Sequence, residues 1–126
     1  MALSAYLRDK LLDHFLKGTA YTAPTNIYVS LHTADPGTTG ANEAAGGSYA
    51  RQIGTSAFAA ASAGSKASNA VIEFAGMPAA TLTHVGVWDA SSAGNFLVGG
   101  ALSASKTTNS GDTFRLPSGQ LTVSLS

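Results

Sequence analysis

A single change in hydrophobic period constrains this chain more than any other feature. Leu3, Leu7, Leu11 and Phe15 recur every four residues, with Leu12 and Leu16 widening the stripe, so the spacing predicts one amphipathic helix over about residues 3–17. Its polar side carries Arg8, Asp9, Lys10, Asp13 and Lys17, with Asp13 and Lys17 in the favourable i, i+4 order. Gly18 supplies a stop and Pro24 prevents re-entry. From Asn26 onward the period is two. In residues 26–32, Ile27, Val29 and Leu31 alternate with Tyr28, Ser30 and His32, the pattern of a half-buried strand. The apolar face of the helix must therefore dock on something.

The rest of the chain reads as short strands separated by turn chemistry. Residues 34–47 hold one proline, four glycines and no periodicity, a length expected of a disordered segment or an interaction arm. A short strand follows at 49–53, and the small-residue tract 57–68 stays open between strand and helix. Residues 69–74 alternate until Gly76, Met77 and Pro78 interrupt them. Residues 82–89 and 95–102 flank a polar turn and read as a hairpin, with Gly86 and Gly99 marking bulges or close approach of another layer. Segments 103–107 and 113–116 around Asn109 to Asp112 read as a second hairpin. Leu121, Val123 and Leu125 then alternate to the end, as in a paired terminal strand. The expected fold is mainly β: a single-domain antiparallel β-sandwich or jelly-roll-like barrel over residues 1–126, with one N-terminal amphipathic helix and a β body over about 26–126.

Composition narrows the function classes. Ala, Gly, Ser and Thr make up 65 of the 126 residues, which suits flat, closely approaching sheets better than a carved catalytic cleft. With 44% hydrophobic residues and zero net charge, the chain has neither low hydrophobicity nor the charge of a disordered segment. Seven acidic and seven basic residues give no basic footprint, so nucleic acid is not an expected partner. The absence of Cys removes disulfides, thiol catalysis and thiolate metal sites. Charges at Arg8, Asp9, Lys10 and Asp13 interrupt the apolar run a signal peptide would need, and no other segment is apolar enough to span a bilayer. Synthesis in a cytoplasm without membrane association is the expectation.

A search for chemistry yields no catalytic residue, no cofactor and no metal ligand set. His14, His32 and His84 stand far apart, without His, Asp or Glu at ligand spacing, and His84 reads as a hydrogen-bonded core or interface histidine. Glu43 and Glu73 form no acid/base couple by spacing. Asp35, Asp89 and Asp112 sit at turns, where a carboxylate accepts backbone N–H bonds. Neither G-x-S-x-G nor a phosphate-cradling loop occurs. Only convergence of His32, His84 and Glu73 on one pocket would point to an enzyme. Tyr28, Tyr49 and Trp88 are the rings a carbohydrate-binding module could use.

Four blocks carry a resemblance: an opening of the form ALSxYLxxxLLDHFLxGTAYTxPTxxYVSLHTADPG, then GGSYARQ, THVGVWDASSAGN, and a closing LxxSKTxxxGDTFxxxxGxLTVSL. Together they span nearly the whole chain, through Leu11–Pro36, Gly47–Gln52, Thr83–Asn95 and Leu102–Leu125. In them the chain resembles a family of small tailed-bacteriophage virion proteins labelled tail-fibre-like. The resemblance implies a virion location after synthesis in the host cytoplasm, other virion proteins as partners, and no catalytic residues. Small size, neutrality and the lack of a shaft or repeat favour a capsid decoration or cement subunit bound to the major capsid protein, as a small cyclic homo-oligomer such as a trimer. A tail-fibre, tail-tip or baseplate component is the alternative, and a carbohydrate-binding module a further one. Contact candidates are Tyr28, Asp35, Pro36, Gly37, Glu43, Tyr49 and Arg51, together with the N-terminal segment. On this reading, deleting residues 36–46 weakens attachment and leaves the monomer folded.

Overall fold

The computed structural model describes residues 2–55, 57, 58, 60 and 62–124, the Ser124 side chain aside. Strand β1 (Ala2–Leu3) leads into helix α1 (Ala5–Leu12), which continues as a π-helical turn over Asp13–Lys17. Eight strands follow: β2 (Tyr28–His32), β3 (Gln52–Ile53), β4 (Ser65–Ala67), β5 (Ile72–Met77), β6 (Ala80–Trp88), β7 (Phe96–Thr108), β8 (Asp112–Leu116) and β9 (Thr122–Ser124). The expected class holds: a mainly β, antiparallel protein with one N-terminal helix. Leu125, the last apolar residue of the expected terminal alternation, lies outside the described residues, as do parts of the 57–68 tract.

The main sheet has the order β1-β7-β6-β2-β3, and two ribbons, β4-β9 and β5-β8, complete the body. The predicted hairpin of residues 82–89 and 95–102 is the β6–β7 pair, longer than its sequence signal because β7 runs on to Thr108. The predicted second hairpin does not form. The far half of β7 stays paired with β6, through Ala80↔Thr108 and Leu82↔Lys106, while β8 crosses to β5. The turn itself is present: Asn109 N–H donates to the Asp112 carboxylate at 2.8 Å. Burial decides the partner, because Phe114 and Leu116 meet Phe74 and Ile72 across that pair, all four buried.

Register assigns the faces of the main sheet, since directly opposed residues point the same way. Val29, Leu31, Val85, Val87 and Val98 share one face through Val29↔Val87, Leu31↔Val85 and Val87↔Val98. The β5–β8 ribbon covers one part of that face, burying Ile72, Phe74, Met77, Leu82, Phe114 and Leu116 with Val29 and Leu31. Around Val87, Leu97 and Val98 the cover is different: Leu3, Tyr6, Leu7, Ile27 and Val123.

The opposite face was expected to be wet, and it is not: Ser30 and His32 are completely buried. Segment 33–51 folds over it. Gly86 permits the approach, because a Cβ there would lie 2.7 Å from the Phe96 ring and 2.8 Å from both His32 Nε2 and Ser30 Oγ. A Cβ at Gly99 would likewise lie 2.8 Å from the Pro36 ring. The 34–47 segment is therefore packed, with Pro36, Gly40 and Ala44 buried, and not a detachable arm. It also occupies the rim of β2: Ala44 N–H donates to Leu31 O at 2.8 Å, and His32 bridges to Glu43.

The helix starts at Ala5, two residues past the expected position, because Leu3 is taken into β1 opposite Val98. Ser4 is its N-cap, its Oγ accepting from Leu7 N–H at 3.0 Å, and Ser4 N–H reaches Leu97 O at 2.8 Å, tying the cap to β7. Gly18, at φ 77°, ends it as predicted. The apolar stripe, however, divides. Leu3 and Leu7 dock on the sheet and Leu11 is half-buried, whereas Leu12, Phe15 and Leu16 are 48%, 65% and 74% exposed.

Candidate functional site

Beneath segment 33–51 lies a polar network built from four parts of the chain. The Arg51 guanidinium forks onto Glu43, Nε to Oε2 at 2.9 Å and Nη2 to Oε1 at 2.8 Å. Its third nitrogen, Nη1, donates to the carbonyls of Ala90 (3.0 Å) and Ala93 (2.8 Å), and its plane lies 3.7 Å from the centre of the Trp88 ring. Tyr49 Oη donates to Glu43 Oε2 at 2.9 Å and accepts from Leu31 N–H at 3.0 Å. One arginine thus fastens the 34–47 segment, the approach to β3 and the β6–β7 turn together.

Burial by itself would raise the Glu43 carboxyl, but the hydrogen bonds from Arg51 and Tyr49, with the Arg51 charge, outweigh it and hold the group below the usual carboxylate range. The Tyr49 phenol moves upward, chiefly through burial. His32 is lowered for the same reason, burial disfavouring the imidazolium.

A serine and a histidine meet here, Ser30 Oγ and His32 Nε2 lying 2.7 Å apart. A carbonyl oxygen can only accept, so His32 Nδ1, 2.8 Å from Ala41 O, carries the proton and Nε2 accepts from the Ser30 hydroxyl. Trp88 Nε1 in turn donates to Ser30 Oγ at 3.0 Å. Every polar atom in the chain Trp88, Ser30, His32, Ala41 is spoken for, and both Ser30 and His32 have zero exposure. The pair is a sealed hydrogen-bond relay, presenting no nucleophile to a substrate.

The contact candidates read from sequence separate into two groups. Glu43, Tyr49 and Arg51 converge in the network, and Pro36 is buried beside Gly99. Asp35 is exposed and accepts from Gly37 N–H at 2.8 Å, the turn role expected of it, and Gly37 is exposed beside it. Tyr28, half-buried, lies opposite Trp88 on one side and Ile53 on the other. Asp89 accepts from Asn95 N–H at 2.7 Å, again a turn role. His32 and His84 are register partners, but Glu73 pairs with Arg115 at 2.7 Å on the β5–β8 ribbon, so the three do not share a pocket. Among the described residues no group of three or more His, Asp or Glu is placed to hold a metal ion. No helix among them is long and apolar enough to cross a membrane. Trp88, 8% exposed under Arg51, and Tyr49, tied into the network, do not form a sugar-stacking platform with Tyr28.

The surface features that remain are apolar. Leu12, Phe15 and Leu16 stand exposed at the end of the helix, and Ile53 and Val71 elsewhere. Their spacing places Leu12, Phe15 and Leu16 on an inward stripe, and helical periodicity alone does not tell where the underlying sheet stops.

Compared with known proteins, residues 2–124 match the family model described as Podophage GP4 fiber I protein gp80. The chain belongs to this family. The match runs from β1 to β9, so the network, the sheet and the helix all lie inside the family's span. The chain is accordingly a phage fibre-type virion structural protein, as the sequence blocks implied. No curated protein matches it.

Proposed function

We propose that this chain is a non-enzymatic subunit of a phage fibre assembly that works by packing its helix end against neighbouring protein chains. The observation that carries the reading is the contrast between a sealed polar network and an uncovered apolar helix end. Ser30, His32 and Trp88 are shut inside with their hydrogen bonds met, while Leu12, Phe15 and Leu16 face solvent. Exposed apolar clusters of this kind mark protein contacts more often than they persist in water. The family's description favours the fibre over the capsid surface. On this reading the subunit's partners are tail proteins.

Gold-labelled antibody on intact and tail-stripped particles tests this. The fibre reading expects label at the tail, absent from stripped heads. Label persisting on the heads would instead establish a decoration or cement subunit bound to the major capsid protein. Particles without the protein would remove both readings.

A further inference from the structure

Within segment 33–51, residues 33–42 form a loop tied mainly to itself. Thr33 N–H donates to Asn42 O at 3.0 Å, Gly40 and Ala41 N–H each donate to Pro36 O at 3.0 Å, and Asn42 Nδ2 donates to Asp35 O at 3.0 Å. A closed loop of this kind moves as a unit about its two ends. The ends are fixed: His32 lies in β2, and Glu43 is held by Arg51 and Tyr49. Among the described residues, two hydrogen bonds reach from the loop to the rest of the chain. Ala5 N–H donates to Thr38 O at 3.4 Å, and His32 Nδ1 donates to Ala41 O at 2.8 Å. The floor beneath is aromatic: a Cβ on Gly40 would lie 2.5 Å from the Trp88 ring and 2.9 Å from Phe96, and Pro36 packs over Gly99.

The closed loop imposes one protonation state on His32. Nδ1 already donates to Ala41 O, so a second proton must go on Nε2, which accepts from the Ser30 hydroxyl. That proton turns the acceptor into a donor. The Ser30 hydroxyl, whose oxygen also accepts from Trp88 Nε1, then loses its own acceptor in a site with no exposure. The surrounding charges do not cancel this cost. Glu43, on the covering segment, favours the imidazolium, whereas Arg51 and, from β6, His84 oppose it. Tyr49 stays neutral, its phenol being shifted upward, and β7 presents the uncharged Phe96 ring. Burial outweighs the help from Glu43 and favours the neutral ring.

We propose that residues 33–42 are an acid-released lid: protonation of His32 lifts the loop about its ends and opens the Trp88–Phe96 floor to solvent while the β body stays folded. The proton that the closed form refuses is taken by the open form, whose imidazole meets water, so falling pH pulls the equilibrium open. The opening constant rises by up to about tenfold per pH unit below about 6.5, until the closed form itself takes the proton. Glu43, held below the usual carboxylate range, stays ionised through this window, so the Arg51 fork keeps the base of the loop in place. The lid stands apart from the packing role of the helix end and gives the molecule a second, pH-dependent face.

Trp88 is the one tryptophan of the chain, so its fluorescence reads the lid directly. Acrylamide quenching of the full chain, followed from about pH 8 to about pH 5 beside far-UV circular dichroism, tests the proposal. The quenching constant of the wild type is expected to rise several-fold below about pH 6.5 with the dichroism unchanged. His32→Gln is expected to stay flat, and His84→Gln, which leaves the Ser30 bond in place, to keep the rise. A flat wild type, a rise that persists in His32→Gln or vanishes in His84→Gln, or a rise that comes only with loss of dichroism overturns the lid. Should His32→Gln not fold, ring resonances of the wild-type histidines decide by NMR. His32 is then expected to titrate over the same pH range as the quenching. A His32 ring that takes its proton without exposing Trp88, or stays neutral while Trp88 becomes accessible, overturns the proposal equally.

Discussion

Arg51 donates to two carboxylate oxygens and two carbonyls while its plane lies on Trp88, so removing it strands Glu43 where burial has stripped away much of the water. The two side chains are 8% and 22% exposed, the regime in which breaking a pair is costly. Arg51→Ala is expected to lower the unfolding free energy by about 3–5 kcal/mol, read from urea denaturation with unchanged slope. Arg51→Lys recovers only part of it, since an ammonium cannot fork onto a carboxylate. Arg115→Ala is expected to cost under about 1 kcal/mol, because its pair with Glu73 is 61% and 50% exposed and screened by water. Acid acts on the same network through two groups. His32 is lowered from 6.5 by burial, so below that pH the unfolded chain takes up a proton that the folded chain refuses, and stability falls. Glu43 is held below 4.5, so its contribution is complete above that value and is lost as pH falls through its lower folded pKa. Unfolding free energy should therefore decline from about pH 6.5 downward and more steeply below about 4.5; a His32→Gln variant should lose the upper part of that decline. In the sequence Arg51 reads as a contact candidate, with nothing to mark it as an internal clamp. Its partners lie 8 and about 40 residues away, a separation no local pattern reports.

At the scale of elements, segment 33–51 shows how far loop composition can mislead. Four glycines and a proline without periodicity do exclude helix and regular strand, but they also allow tight turns and close backbone approach. The fold uses them that way, burying Pro36, Gly40 and Ala44 and covering the rim of β2. Deleting residues 36–46 is therefore expected to abolish cooperative unfolding and not merely weaken attachment, measured by the thermal transition of the purified variant. A sharp transition within a few degrees of wild type would contradict this packing. The β7–β8 turn is the complementary case. Its chemistry was legible, because Asp112 and Gly111 act over four residues. Its consequence was not, because β8 takes the partner that buries Phe114 and Leu116.

For the whole molecule, seven charges of each sign leave no field to draw a polyanion, and among the described residues the Arg51–Glu43 and Arg115–Glu73 pairs consume two of each. Titration with labelled duplex DNA at low salt is expected to show no binding that falls with added salt, the mark of phosphate neutralisation. What the sequence determined by itself was local or cumulative. The helix with its Gly18 stop, the β6–β7 hairpin, the mainly antiparallel class and the neutral, cysteine-free composition all follow from spacing, turn residues and residue content. The matching blocks determined the family. Tertiary structure alone decided which side of each element is dry. It laid a loop over Gly86, turning Ser30 and His32 into core residues, and it ended the sheet beneath α1, turning Phe15 and Leu16 outward. The physical reason is that periodicity records which residues could share a face, whereas burial depends on what distant parts of the chain place against it.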